Sequence, residues 1–195
     1  MEPRQSSFLN MVLTLTIVSV VAAVALGFVY KVTKAPIEKA LLDKQMKAVE
    51  AVISGYDNNP VGEKYQVAFE GGKDSMEVYP AKLDGELVGM AVKTKSPKGY
   101  SGDIWLMVGF QKDGKISNIV VTEHLETPGL GSKMTGEKFI SQFVGKDPGK
   151  SDLKVKKDGG DIDAISGATI SSRAFSEAVL NAYKTFVESD HGKQD

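Results

Sequence analysis

The chain contains no cysteine. That excludes disulfides, thiolate-bound zinc, iron–sulfur clusters and cysteinyl cofactor linkages. Histidine is nearly absent too: only His124 and His191 occur, too few for a histidine-rich metal site. No charge of one sign dominates. The 24 Lys and Arg against 25 Asp and Glu leave a net charge of −1, which removes any whole-protein case for nucleic-acid binding. Between Arg4 and Lys31 charge of either sign is missing altogether.

An apolar run fills that gap. "MVLTLTIVSVVAAVALGFVY", Met11 to Tyr30, matches the ~20 residues that cross a hydrocarbon core of ~30 Å. The apolar region of a cleaved signal peptide is shorter, ~7–15 residues, and ends in small residues. Bulky Phe28, Val29 and Tyr30 close this one, so it reads as a retained anchor. With no ionisable side chain inside, it is no path for ions or protons. Ser19, Ala23 and Gly27 share a helical face. That stripe suits a close-packed membrane partner, or reflects the ordinary abundance of small residues in such helices. Only Arg4 and the terminal amine precede the span, while Lys31, Lys34, Lys39, Lys44 and Lys47 follow it. The positive-inside rule alone would leave the rest of the chain in the cytoplasm.

Pro36 is expected to open a second, juxtamembrane helix, with Ile37, Leu41, Val49, Val52 and Ile53 on one face. "SGYDNNPVGE" ends it. Two hairpins follow, each turning on Asp-Gly: Asp84-Gly85 and Asp113-Gly114. "ETPGLGSKMTGEKF" reads as a turn and a short helix, and "DLKVKK" as a further strand. From Ile170 onward Ala174, Ala178, Ala182 and Phe186 repeat every four residues, marking a C-terminal helix of about five turns. The expected class is α+β, an antiparallel sheet with flanking helices behind one transmembrane helix. The expected segments are 1–34 (tail and anchor), 35–58 (juxtamembrane helix), 59–190 (folded domain) and 191–195 (polar tail).

Two short stretches carry candidate chemistry. In "DAISGATISSR", Asp163 to Arg173, free amides and the dipole of a starting helix favour an anion, and Gly167 lets backbone approach it. Ser166, Thr169 and Ser171 add hydroxyl donors. The same residues also make an ordinary helix cap. In "ETPGLG", Glu126 to Gly131, Leu130 stands between two glycines where backbone can lie against a ring, and Glu126 offers an acceptor to a heterocycle; a plain turn after a strand is the other reading. His124 reads as an ordinary strand-end histidine, with no nucleophile paired to it.

These stretches resemble the FMN-binding domain family. "DAISGAT" is similar to its Asp-x-x-Ser-Gly-Ala-Thr flavinylation pattern, and "HLETPGLG" and "GYSGDI" resemble its other two signatures, in the family's order and behind one span. In size and layout the chain is most similar to the G subunits of Rnf-type ion-translocating ferredoxin:NAD+ oxidoreductases. The C subunits of sodium-translocating NADH:quinone oxidoreductases share the motifs and are longer. The resemblance implies a redox subunit, not catalytic alone, that carries FMN through a phosphoester bond to Thr169, attached by a flavin transferase. It implies other membrane subunits as partners, a bacterial or archaeal cell membrane, and an FMN domain outside the cytoplasm, against the lysine count. It places Glu126, Thr127, Gly129 and Leu130 on the isoalloxazine with Tyr100 and Ser101 nearby, and Asp163, Ser166, Gly167 and Ala168 at the phosphate end. Other members carry a large aromatic after the tyrosine; Ser101 departs from that, so ring stacking there is not carried over. A stand-alone membrane-anchored flavin module is a further alternative, and so is a non-redox interaction domain in which "SGAT" only caps a helix.

Overall fold

A computed structural model describes residues 8–68 and 75–191. The chain divides into two units between Lys44 and Gln45.

The first unit is most of α1 (Phe8–Val52), one helix of 45 residues. It is the one helix among the described residues that is long and apolar enough to cross a membrane. Its large apolar side chains are exposed all round, from Phe8 and Leu9 to Val29 and Tyr30, the character of a helix solvated by lipid. Its threonine hydroxyls are satisfied within the helix, as a lipid setting demands: Thr14 and Thr16 donate to the carbonyls of Asn10 and Val12, at 2.7 and 2.9 Å. The expected fresh start at Pro36 is not seen, because α1 continues through it. Proline removes one amide and crowds the carbonyl four residues earlier. The helix proceeds on both sides nonetheless, and the Lys34–Glu38 pair spans the position at 3.9 Å.

The second unit is a five-stranded antiparallel meander: β1 (Tyr65–Ala68), β2 (Ser75–Leu83), β3 (Glu86–Ser96), β4 (Ile104–Gln111) and β5 (Ile116–Glu123), paired in chain order. The α+β class with an antiparallel sheet is therefore as expected. At the first hairpin both turn residues take positive φ, 51° at Asp84 and 82° at Gly85, the mirror-image turn whose twist fits the strands. The second hairpin differs from the expected two-residue turn. Gly114 N–H donates to Gln111 O at 2.9 Å and Gln111 N–H to Lys115 O at 2.8 Å, which leaves a three-residue loop with glycine in the left-handed position. The short strand β1 carries too brief an alternation to stand out in the sequence. "DLKVKK" is not a strand. It holds one isolated bridge, Val155 with Ile162, and then a single 3-10 turn, Lys156–Asp158.

Side chains alternate across a strand, so each face of the sheet can bury its own set. Val78, Met90, Val92, Leu106, Val108 and Phe110 pack against α3 (Thr169–His191) through Ala174, Phe175, Ala178 and Ala182. The alanines let α3 lie close: buried Thr94 donates to the Ala178 carbonyl at 3.1 Å. Tyr79, Ala81, Ala91 and Met107, on the opposite face, cover Val49, Val52 and Ile53. There Ser117 Oγ donates to the Val52 carbonyl and Asn118 Nδ2 to Ala51 O at 2.8 Å, capping the last turn of α1. Beyond β5 the chain forms a 3-10 turn (Gly131–Thr135) and a one-turn helix, α2 (Glu137–Ile140). Phe139 and Phe143 each lie 5.1 Å, ring to ring, from Phe175 of α3. Aromatic pairs add ~0.5–1.5 kcal/mol each beyond area burial, so this trio fixes the post-β5 segment against the start of α3.

Candidate functional site

Three segments converge at the N-terminal end of α3: the β3–β4 loop with Tyr100 and Ser101, the turn after β5 with Glu126 to Gly131, and Gly167 to Ser171. Glu126 joins them. It is 4% exposed, and its carboxylate accepts Ser101 N–H at 3.0 Å and Ser171 Oγ–H at 2.6 Å. Gly131 is required where these meet, since a Cβ there would lie 2.5 Å from both Glu126 Oε2 and Ser171 Oγ. His124 accepts the Glu126 N–H through Nδ1 at 3.1 Å, so it orients this backbone. The turn itself is local: the Thr127 carbonyl accepts Leu130 N–H at 3.2 Å and Ser132 N–H at 3.3 Å, and Gly129 N–H donates to Ser132 Oγ at 2.9 Å.

Tyr100, Glu126, Thr127, Leu130, Gly167, Ala168 and Thr169 line one pocket of ≈ 640 Å³. Tyr100 is 70% exposed and Leu130 44% exposed, large apolar surfaces left open beside it. Leu130 also meets the other motif, its Cδ2 lying 3.3 Å from where a Cβ on Gly167 would be. At the helix start the Ala168 carbonyl accepts Ser172 N–H at 3.1 Å, so Thr169 is the first residue of α3. The amides of such a first turn have no partners within the helix.

The structure does not bring every expected residue to this pocket. Ser101 contributes its amide to Glu126, and Gly129 shapes the turn; neither lines the pocket. Asp163 and Ser166 line a second hollow of ≈ 930 Å³ with Phe139, Gln142 and Ile165. Asp163 pairs with Lys156 at 2.8 Å, and its N–H donates to Gln142 Oε1 at 2.7 Å.

One pocket residue escaped sequence reasoning. Lys157 Nζ lies 3.3 Å from Thr169 Oγ1. Read as a strand, "DLKVKK" gave no reason to look there. The next residue, Asp158, takes a two-point grip on Arg173, with Nε and a terminal nitrogen each at 2.7 Å. Those hydrogen bonds hold the Asp158 carboxyl below the usual carboxylate range and raise the Arg173 guanidinium.

The arrangement fits a flavin mononucleotide. A partly buried threonine hydroxyl stands at a helix start beside a cation, and apolar Leu130 and Tyr100 face the same space. The volume lies within the ~300–1,000 Å³ of small-molecule sites.

Comparison with known proteins agrees. The FMN-binding domain family matches residues 99–184, which contain all three segments. The chain is 35% identical over 179 residues to the G subunit of the Na(+)-translocating ferredoxin:NAD(+) oxidoreductase complex from Acetobacterium woodii, covering 86% of each. It is 41% identical over 151 residues to the G subunit of the ion-translocating oxidoreductase complex from Escherichia coli K12, covering 74% of this chain and 71% of that one. Identity to the corresponding G subunit from Shewanella baltica is 46% over 117 residues, covering 57% of this chain and 55% of that one. Among solved structures, NqrC of Shewanella oneidensis is 23% identical with a TM-score of 0.47, covering 73% of this chain and 72% of that one.

Proposed function

The chain belongs to the FMN-binding domain family, among the G subunits of ion-translocating oxidoreductase complexes, and on that premise we propose that it is a membrane-anchored electron-transfer subunit of such a complex. FMN, when bound, supplies reversible uptake and release of electrons between redox partners. The chain supplies attachment, orientation and exclusion of water.

Thr169 is the attachment point in this reading. Its Oγ1 bonds to the phosphorus of the FMN half of FAD, the pyrophosphate P–O bond breaks, AMP departs, and the hydroxyl proton passes to a base of a separate flavin transferase. The first-turn amides of α3 would then hold the phosphate. Leu130, Gly167 and Tyr100 would border the ring. The observation that carries this reading is the opening of the Thr169 hydroxyl onto the pocket that holds Leu130 and Tyr100. Covalent retention makes sense outside the cytoplasm, where lost FMN is not replaced, and we place the domain there. Residues 11–30 hold no acidic or basic side chain, so the coupled ion travels through other subunits.

Mass spectrometry of the tryptic peptide 158–173 tests the reading. Chain produced with its transferase should carry FMN on Thr169. An unmodified peptide from such protein rejects covalent attachment at this position.

A further inference from the structure

Lys157 is held in place by its neighbours. On one side, Lys156 N–H donates to Ile162 O at 2.8 Å and Lys156 Nζ pairs with Asp163 at 2.8 Å. On the other, Asp158 N–H donates to Val155 O at 2.8 Å and its carboxylate grips Arg173. Arg173 lies four residues after Thr169, hence on the same face of α3. The grip therefore ties this 3-10 turn to the helical turn that begins with Thr169. Lys156 and Asp158 each form an ion pair, whereas Lys157 forms none among the described residues, although its charge is felt at Asp158. Its ammonium is directed at a neutral hydroxyl instead.

We propose that Lys157 is the positioning residue of the attachment site: it orients the Thr169 oxygen and supplies the counter-charge for the phosphoryl group that oxygen receives. This rests on the reading of Thr169 as the flavin acceptor. An ammonium only donates, so at 3.3 Å it engages a lone pair of Oγ1 and leaves the hydroxyl hydrogen free for removal. In the transfer the Oγ1–P bond forms as the FAD pyrophosphate bond opens and AMP leaves with its electron pair. Negative charge gathers on the phosphoryl oxygens next to Nζ, where a charge-assisted hydrogen bond is strongest. In the product the same ammonium faces a phosphodiester monoanion. The substrate protein thereby contributes part of the electrostatic machinery for its own modification.

The test uses the full-length chain in detergent, purified flavin transferase and FAD, followed by in-gel flavin fluorescence and intact mass. Lys157→Gln should load at least about tenfold more slowly, the scale of one lost charge-assisted hydrogen bond. Lys157→Arg, which keeps the charge, should stay within about threefold of wild type. Both variants should keep the wild-type melting temperature, and the loss in Lys157→Gln should fall in kcat rather than in KM for the chain. Wild-type loading rates in folded Lys157→Gln overturn the proposal. So does a Lys157→Arg variant as slow as Lys157→Gln, or a defect confined to KM, which would make Lys157 a docking contact. A wild-type chain that gains no flavin at Thr169 instead rejects the attachment reading itself.

Discussion

Glu126 accepts the hydroxyl of Ser171 at 2.6 Å, and this buried bond connects the turn after β5 to the first turn of α3. The other carboxylate oxygen takes the Ser101 amide. Both oxygens thus have protein donors, so Glu126 builds the pocket as well as lining it. Glu126→Ala should destabilise the flavin-free chain by ~1–3 kcal/mol, since it strands the buried Ser171 hydroxyl and removes the acceptor of the Ser101 amide. Glu126→Gln, which keeps an acceptor oxygen, should lose less. Urea unfolding measures both; an unchanged midpoint in Glu126→Ala would show the bracket to be idle.

The Asp158–Arg173 contact predicts a pH dependence with a definite sign. Arg173 depresses the folded-state pKa of Asp158. The contact's contribution is therefore complete above the ordinary aspartate value, ~3.9, and is lost as pH falls through the lower folded value. Arg173→Gln should move the Asp158 titration upward, toward the ordinary value. Carbon-detected NMR of the carboxyl reports this directly, and an unmoved titration would mean the ion pair is absent in solution.

Thr169→Ala should abolish covalent flavin and leave the fold standing. Ala168, not Thr169, supplies the first helical carbonyl, and among the described residues the Thr169 side chain bonds only the exposed Lys157. The loss should fall at or below the low end of a lost cap, ~0.5 kcal/mol. Thermal unfolding of the two flavin-free chains checks this. A mutant that fails to fold would make the threonine structural.

The hairpins, the long C-terminal helix and the apolar span were legible because each follows from local chemistry: Asp-Gly turns, four-residue apolar spacing, an uncharged run. Thr169, Leu130 and Tyr100 were legible as motif residues. Lys157 and the Glu126–Ser171 bond were not. They depend on residues 12 and 45 positions apart meeting in space, and no periodicity records that. The passage of α1 through Pro36 was hidden for the opposite reason: the local rule for proline is strong, and the helix on either side overrides it.

Topology offers a test in which two rules disagree. Five lysines follow the span, which by charge alone would hold the domain in the cytoplasm. We expect the reverse. A reporter active only outside the cytoplasm, fused after Asp195, should give signal. Signal solely from a cytoplasmic reporter would refute the placement and remove the rationale for covalent retention.

Leu130 separates a flavin cover from a core residue. It is 44% exposed, and on the pocket side it meets the backbone of Gly167. A buried leucine cut to alanine costs ~2–5 kcal/mol; a half-exposed one leaves little cavity and should cost well under that. Leu130→Ala should therefore unfold, without flavin, close to wild type. With flavin attached, the lost side chain admits water to the ring, so absorbance and midpoint potential should shift. Unfolding of the flavin-free chain and redox titration of the loaded chain, on the same mutant, give the two readouts. Large destabilisation without flavin, together with an unchanged potential, would assign Leu130 to the core and remove it from the ring's apolar lining.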